Sequence, residues 1–318
     1  MNQQKLIRTC SIWRALEVIG DTSVLLILEA IWLGSHRFDE IRGRTGLLKA
    51  LLSDRLKRLV AAGVLEKRLY NKNPPRYEYV TTQKGRDLYW TALMLLRWER
   101  RWSNTAGKIR VLLRHRVCGE VFEPTPLCGH CNGAAEAKYV TWQEGPGVGW
   151  MAPHYSRRRQ HREVGCEEES TTLLEESAQL MGDRWAGLIL RSIFTGLRRF
   201  EEIRKDTAIA TNILSERLAW LIETGVITQH QYSDVPMRYE YRLSEKGLDY
   251  YPALLMLLQW GDKYYVSPEG PPLLLTHKTC GKELDAIVAC SHCSKPLAAE
   301  EVEFEIVESK KRRSRKSA

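Results

Sequence analysis

LLSDRLKRLVAAGVLEKRLYNKNPPRYEYV at residues 51–80 and ILSERLAWLIETGVITQHQYSDVPMRYEYR at 213–242 are one pattern written twice, 162 residues apart. Each begins with apolar residues at helical three-and-four spacing, here Leu52, Leu56, Leu59 and Val60, and breaks at a glycine, Gly63 or Gly225. Two β-rich runs follow, VLEKRLY and RYEYVTT in the first copy, joined by NKNPP. Prolines favour a loop over a strand interior, so the run predicts a hairpin. A helix feeding directly into a hairpin decides the fold.

Outward from that stretch the register holds without a gap. Gly20-Asp21 falls on Gly182-Asp183, Arg37-Phe38 on Arg199-Phe200, Lys84-Gly85 on Lys246-Gly247 and Trp98 on Trp260. A period this long is a duplicated domain, since solenoid repeats run to about 20–50 residues. Residues 11–20 and 23–33 have helical spacing with Gly34 as a stop. A short helix runs from Phe38 to about Arg44, Gly46 breaks it, and a helix from Leu47 to about Ala62 follows. After the hairpin, Thr82 is placed to cap a long helix to about Trp102. Helix, helix, short helix, helix, hairpin, long helix is the order of a winged helix-turn-helix. Residues 171–265 repeat it.

The expected fold is mainly α with small β-wings: two winged helix-turn-helix domains, each followed by a small zinc-ribbon-like hairpin. The boundaries expected are 1–105, 106–142 for the first ribbon, 143–170 for a linker, 171–266, 267–308 for the second ribbon, and 309–318 for a basic tail. At 318 residues the length suits about two domains. No apolar run approaches the roughly 18 residues of a membrane span, and no secretory signal opens the chain, so a cytoplasmic protein is expected. Structural disulfides are then improbable, and the eight cysteines call for another explanation.

The run from Gly20-Asp21 through LILEAIWLGSHRFDEIR, LLSDRLKRLVAAGVLEKRLY and PPRYEYVTTQKG resembles the HxlR-type winged helix-turn-helix transcriptional regulators. LILRSIFTGLRRFEEIR, IATNILSERLAWLIETGVI and MRYEYRLSEKG of the second copy resemble them still more. The resemblance covers roughly 90 residues of each half. It implies a DNA-binding regulator, usually a homodimer with one module per chain. This chain departs from that pattern by carrying both modules, so a covalent pseudo-dimer takes the homodimer's place. Paired like modules suit a pseudo-twofold partner such as double-stranded DNA.

Helix-turn-helix proteins lay the second helix of the pair in the major groove. The exposed stripe of that helix carries Lys49, Ser53, Lys57 and Arg58, with Asp54 as an acceptor for a cytosine amine. In the second copy Thr211, Asn212 and Ser215 hold the matching region, and Asn212 suits a bidentate pair with adenine. Arg76 and Arg238 match the family's hairpin arginine and are assigned to phosphate or minor groove, with Lys72 beside the first. Arg55 and Arg217 lie next to the inward stripe, where a structural ion pair competes with DNA contact.

The copies differ electrostatically. From Gly34 to Gly85 there are 12 Lys plus Arg against 5 Asp plus Glu, whereas Gly196 to Gly247 has 8 against 8. Phosphate neutralisation dominates affinity, so the first copy is expected to supply most of it, on an asymmetric inverted-repeat operator. Repression by blocking a promoter is the expected mode. An adaptor that keeps the fold without base-specific binding is the alternative. RNA binding lacks an exposed aromatic platform. No catalytic constellation or phosphate-cradling glycine loop stands out, so no enzyme activity is expected. Self-association through the terminal helices stays open, as does a small-molecule effector.

HRVCGEVFEPTPLCGHC at 115–131 and HKTCGKELDAIVACSHC at 277–293 share the spacing His-x2-Cys-x9-Cys-x2-Cys. Three thiolates and an imidazole fill a tetrahedral zinc site with no open position, which marks a structural site. The reading is two structural Zn2+ ions, one in His115, Cys118, Cys128 and Cys131, the other in His277, Cys280, Cys290 and Cys293. Reduced thiols in a hairpin are the alternative. CGHC also matches a disulfide-isomerase tetrapeptide, but the helix start such a motif needs is missing and the second copy reads CSHC. The resemblance gives Cys10 a possible redox role, because some family members sense oxidation with a cysteine there; its counterpart is Thr172. Cys166 lies in the linker. The last nine residues, KKRRSRKSA, carry six positive charges, suiting either a phosphate-gripping or a solubilising tail.

Overall fold

The structure is a computed structural model that describes residues 6–103, 110–152 and 172–307. The first repeat runs β1 (Ile7–Arg8), α1 (Ser11–Ile19), α2 (Thr22–Trp32), α3 (Phe38–Thr45), α4 (Lys49–Ala61), the wing strands β2 (Leu65–Lys72) and β3 (Pro75–Thr81), α5 (Gln83–Arg86) and α6 (Tyr89–Trp102). β4 (Arg110–His115), β5 (Pro124–Cys128), β6 (Val140–Glu144) and β7 (Trp150–Met151) follow. The second repeat runs α7 (Glu175–Gly182), α8 (Arg184–Phe194), α9 (Phe200–Thr207), α10 (Thr211–Glu223), β8 (Ile227–Asp234), β9 (Met237–Leu243), α11 (Glu245–Leu248), α12 (Tyr251–Tyr265), β10 (Leu273–His277), β11 (Ala286–Cys290) and β12 (Val302–Val307). The expected element order stands in both copies.

Two boundaries differ. The long helix expected from Thr82 is broken: Thr82 caps the short α5 by accepting from the Gly85 amide, and α6 starts afresh at Tyr89. The stretch expected as linker from 143 opens with ordered structure, since β6 pairs antiparallel with β10 and β7 with β1. Cys166, the basic and acidic runs of the linker and the basic tail lie outside the described residues.

Local chemistry accounts for the shared motifs. Asp21 and Asp183 cap α2 and α8 by accepting from the amides of Ser23 and Ala186. The same carboxylates take Arg55 at 2.6 Å and Arg217 at 2.5 Å. The Gly-Asp and Ser-x-Arg motifs are therefore two ends of one ion pair, made twice. Arg55 and Arg217 are structural. At the end of α3 the chain turns through Gly46 with φ of 67°, while Ala208 holds the matching turn with φ of 51°.

The chain folds as two compact units, and neither is a contiguous repeat. Among the described residues one, the first-repeat unit, comprises 18–103, 110–125, 172–182 and 287–307; the other, the second-repeat unit, comprises 6–17, 126–152 and 183–286. Residues 6–17, expected with 18–105, thus complete the core of the second repeat. There Trp13 and Leu16 are buried, and the Trp13 ring lies 5.4 Å from that of Trp185. α7 in turn packs on α2 and α6 of the first repeat. In each core the second helix of the helix-turn-helix, α4 or α10, buries one stripe, Leu52, Leu56 and Leu59 or Leu214, Leu218 and Leu221. Its other face is left to solvent.

Candidate nucleic-acid interface and metal centres

In the first-repeat unit, α4 is anchored by its leucines and by the Arg55–Asp21 pair. That fixes its opposite face outward. Lys49, Lys57 and Arg58 are exposed and Ser53 is half-buried. Lys72 and Arg76, near the hairpin tip, are exposed too. The structure therefore brings the expected basic stripe and wing together on one unit. Asp54, read as an acceptor for a cytosine amine, has its carboxylate paired with Arg55 at 2.5 Å and Arg58 at 3.1 Å.

In the second-repeat unit Thr211, Asn212, Ser215 and Arg238 are all exposed at the matching places. The surface is neutral and its wing tip apolar. Val235 is 91% exposed and Met237 61%, where the first wing carries Asn73 and Pro75.

The cysteine and histidine residues do assemble, but not as the spacing suggested. His115 and Cys118 join Cys290 and Cys293, whereas Cys128 and Cys131 join His277 and Cys280. The two quartets expected from sequence order are thus corrected to two mixed quartets, each with one knuckle from either repeat. The first lies wholly in the first-repeat unit and the second wholly in the second-repeat unit. Pairings of flanking strands impose the exchange. β12 pairs with β4 from Val302↔His115 to Val307↔Arg110, and β10 pairs with β6 from Leu273↔Glu144 to His277↔Val140. Each of these ladders ends at a ligand histidine.

Ligand atoms within a quartet all lie within 4.8 Å of one another. His115 Nδ1 is 3.5 Å from Cys118 Sγ and 3.3 Å from Cys293 Sγ, and Cys118 Sγ is 3.9 Å from Cys290 Sγ. In the other quartet His277 Nδ1 is 3.3 Å from Cys131 Sγ and 3.4 Å from Cys280 Sγ, with Cys128 Sγ 4.0 Å from Cys280 Sγ. A tetrahedral ion with metal–sulfur bonds of about 2.3 Å and metal–nitrogen bonds of about 2.0 Å has S–S edges near 3.8 Å and S–N edges near 3.5 Å. The donor sets fit such an ion.

Outer contacts orient the imidazoles. His277 Nε2 is 3.2 Å from the Ala134 carbonyl, which leaves Nδ1 as the unprotonated nitrogen facing the sulfurs. His115 Nε2 instead lies 3.7 Å from Glu301. Each knuckle turns through a positive φ just after its second ligand, at Gly119, Asn132, Gly281 and Ser294. The Cys280 and Cys293 thiols are lowered to about 7, chiefly by the backbone amides of Lys282 and Lys295 and also by their histidines. A lowered thiol favours the thiolate, the form that ligates metal. Cys10 is buried, 3% exposed, in the second-repeat unit.

The HxlR-like helix-turn-helix family matches this sequence twice, at residues 18–106 and 180–269, together more than half of the chain. The chain belongs to the HxlR-like helix-turn-helix family. Both matches begin at the close of the first helix of a repeat, so the exchanged helices lie mostly outside them. Two uncharacterized HTH-type transcriptional regulators, from Mycobacterium bovis and Mycobacterium tuberculosis, are each 44% identical over 124 residues, 39% of this chain and 78% of the relative. The uncharacterized HTH-type transcriptional regulator YdeP of Bacillus subtilis is 35% identical over 101 residues, 31% of this chain and 74% of its own length. The solved structure of PA1374 from Pseudomonas aeruginosa is 32% identical, covers 39% of this chain and 84% of that one, and superposes with a TM-score of 0.31. HxlR-like proteins are transcriptional regulators and not enzymes. Among the described residues no helix is long and apolar enough to cross a membrane.

Proposed function

We propose that this HxlR-like chain is a cytoplasmic, sequence-specific regulator of double-stranded DNA that acts as a covalent pseudo-dimer and represses by occupying a promoter. The exposed Lys49, Lys57 and Arg58 on α4, together with Lys72 and Arg76 on the wing of the same unit, carry this reading. A helix of about this size fits the major groove, and a basic hairpin beside it reaches phosphate. In the second-repeat unit Thr211, Asn212, Ser215 and Arg238 form a weaker reader, so the operator is an imperfect inverted repeat. The test is binding to DNA from upstream of the protein's own gene against random DNA of equal length, over a salt series. Specific binding whose affinity falls steeply with salt supports the proposal. Equal affinity for both DNAs removes it.

The two mixed quartets each hold one structural Zn2+. His115, Cys118, Cys290 and Cys293 bind one ion; Cys128, Cys131, His277 and Cys280 bind the other. The ions supply cross-links, with no open coordination position for catalysis. The exposed Val235 and Met237 favour a second reading for the second-repeat unit alone, as a protein-docking module that keeps the fold. Footprinting separates the two readings: protection of a single half-site assigns that unit to a protein partner.

A further inference from the structure

Each core is completed by a helix from the other repeat, and the two receiving grooves have opposite electrostatics. In the first-repeat unit Glu29, 5% exposed, accepts from the Leu173 amide at 2.8 Å and the Thr172 hydroxyl at 2.9 Å. Glu99, 3% exposed, accepts from the Glu176 and Ser177 amides at 3.2 and 2.7 Å, in the first turn of α7. Two buried carboxylates therefore grip the amide-rich start of α7, where the helix dipole favours negative charge. Arg44 also attracts Glu29.

In the second-repeat unit the charge is reversed at two of these positions and lost at a third. The place of Glu29 is taken by Arg191 and that of Arg44 by Asp206, and this buried pair meets at 2.8 Å. Arg8, on the segment leading into α1, lies 3.8 Å from Asp206. The place of Glu99 is taken by Gly261. A Cβ there would sit 2.3 Å from the Ser11 carbonyl oxygen, so only glycine lets α1 approach this closely. Next to it Asp262 accepts from the Ser11 hydroxyl, at the position where the first repeat has Arg100. Arg14 donates to the Tyr265 carbonyl at 2.8 Å, and the residue matching Arg14 in α7 is Glu176.

We infer that this charge inversion is a pairing code that lets each groove accept only the helix of the other repeat, so that neither half can pair with a copy of itself. Seated in the second groove, α7 would leave Asp262 without its hydroxyl donor, because Leu173 replaces Ser11, and would set Glu176 beside that carboxylate. Seated in the first groove, α1 would offer Cys10 to Glu29 in place of the Thr172 hydroxyl. Either misplacement removes a side-chain donor from one of these carboxylates, and a symmetric pair of halves would meet that loss in one groove or the other. The chain is thus an obligately heterotypic pair rather than a homodimer joined end to end.

The test uses the full-length chain. In a helix-exchanged variant residues 8–17 and 170–179 trade places. Amide hydrogen exchange of the two traded helices is expected to speed up about a hundredfold or more. A second variant adds the inverted groove set E29R, R44D, E99G, R100D, R191E, D206R, G261E and D262R, and is expected to restore protection to within about tenfold of the natural chain. Unchanged protection in the first variant overturns the code. So does failure of the second to restore it, since apolar packing would then be what selects the helix.

Discussion

Cys118 Sγ lies 3.9 Å from Cys290 Sγ, although 172 residues of chain separate them. Cys118 and Cys128, only ten residues apart and in one sequence motif, belong to different clusters. An ion in either cluster therefore ties a knuckle of one repeat to a knuckle of the other.

Metal stoichiometry follows from that pairing. The natural chain is expected to hold about two zinc ions, and C118S/C290S about one, because both changes strike the same cluster. C118S/C128S strikes both clusters and is expected to hold close to none. Local quartets would give the reverse ranking of the two double variants. Elemental analysis of the purified proteins reads the difference directly.

DNA affinity is expected to rest on the first-repeat unit. Replacing Lys49, Lys57 and Arg58 together by alanine should flatten the slope of log affinity against log salt by up to about 2.7, roughly 0.9 per phosphate contact. Replacing Thr211, Asn212 and Ser215 should alter preference at one half-site and leave the slope nearly unchanged. Fluorescence anisotropy across a salt series measures both. Equal slope losses in the two triple variants would remove the asymmetry.

Glu29 should make stability depend on pH. Burial raises its carboxyl from 4.5 to about 7, against the opposing pull of the Leu173 and Leu174 amides, the Thr172 hydroxyl and Arg44. A folded value above the unfolded one means that the native state holds this proton more tightly. The contribution is complete below about pH 4.5 and is lost as pH rises through 7, at most about 3 kcal/mol. Urea midpoints should therefore fall from pH 6 to pH 8. In Glu29→Gln the same series should be flatter, and parallel slopes would refute the assignment.

Ala208 sits in the left-handed region with φ of 51° where the first repeat has Gly46. A side chain there costs roughly 1 kcal/mol that glycine avoids. Ala208→Gly should raise the stability of the second-repeat unit by about that amount despite the greater freedom it gives the unfolded chain. A thermal unfolding scan that shows destabilisation would mean that the turn holds no strain.

Much of this was legible in the residues. The stripe Leu52, Leu56, Leu59 announced α4 and its inward face, and so placed Lys49, Lys57 and Arg58 outside. The wing was announced by strand-forming runs flanking Pro74 and Pro75. A long helix from Thr82 was read in place of α5 and α6, because the periodicity of Leu88, Leu93 and Leu96 carries no sign of the restart after Asp87. The ligand residues were recognised as a set while their partners were not. The inversion of Glu29 and Arg44 into Arg191 and Asp206 was in plain view at the 162-residue offset. It signals contact only once α2 and α3 are known to touch.

The sequence by itself determined that there are two like modules, which elements each contains and which side chains are candidate ligands. Those properties depend on spacing over a few residues, and helical and strand periodicity report them faithfully. Tertiary structure alone decided which helix completes which core and which knuckle faces which. The four knuckles present nearly the same donors, so the choice among them is made by distant strands, β12 against β4 and β10 against β6.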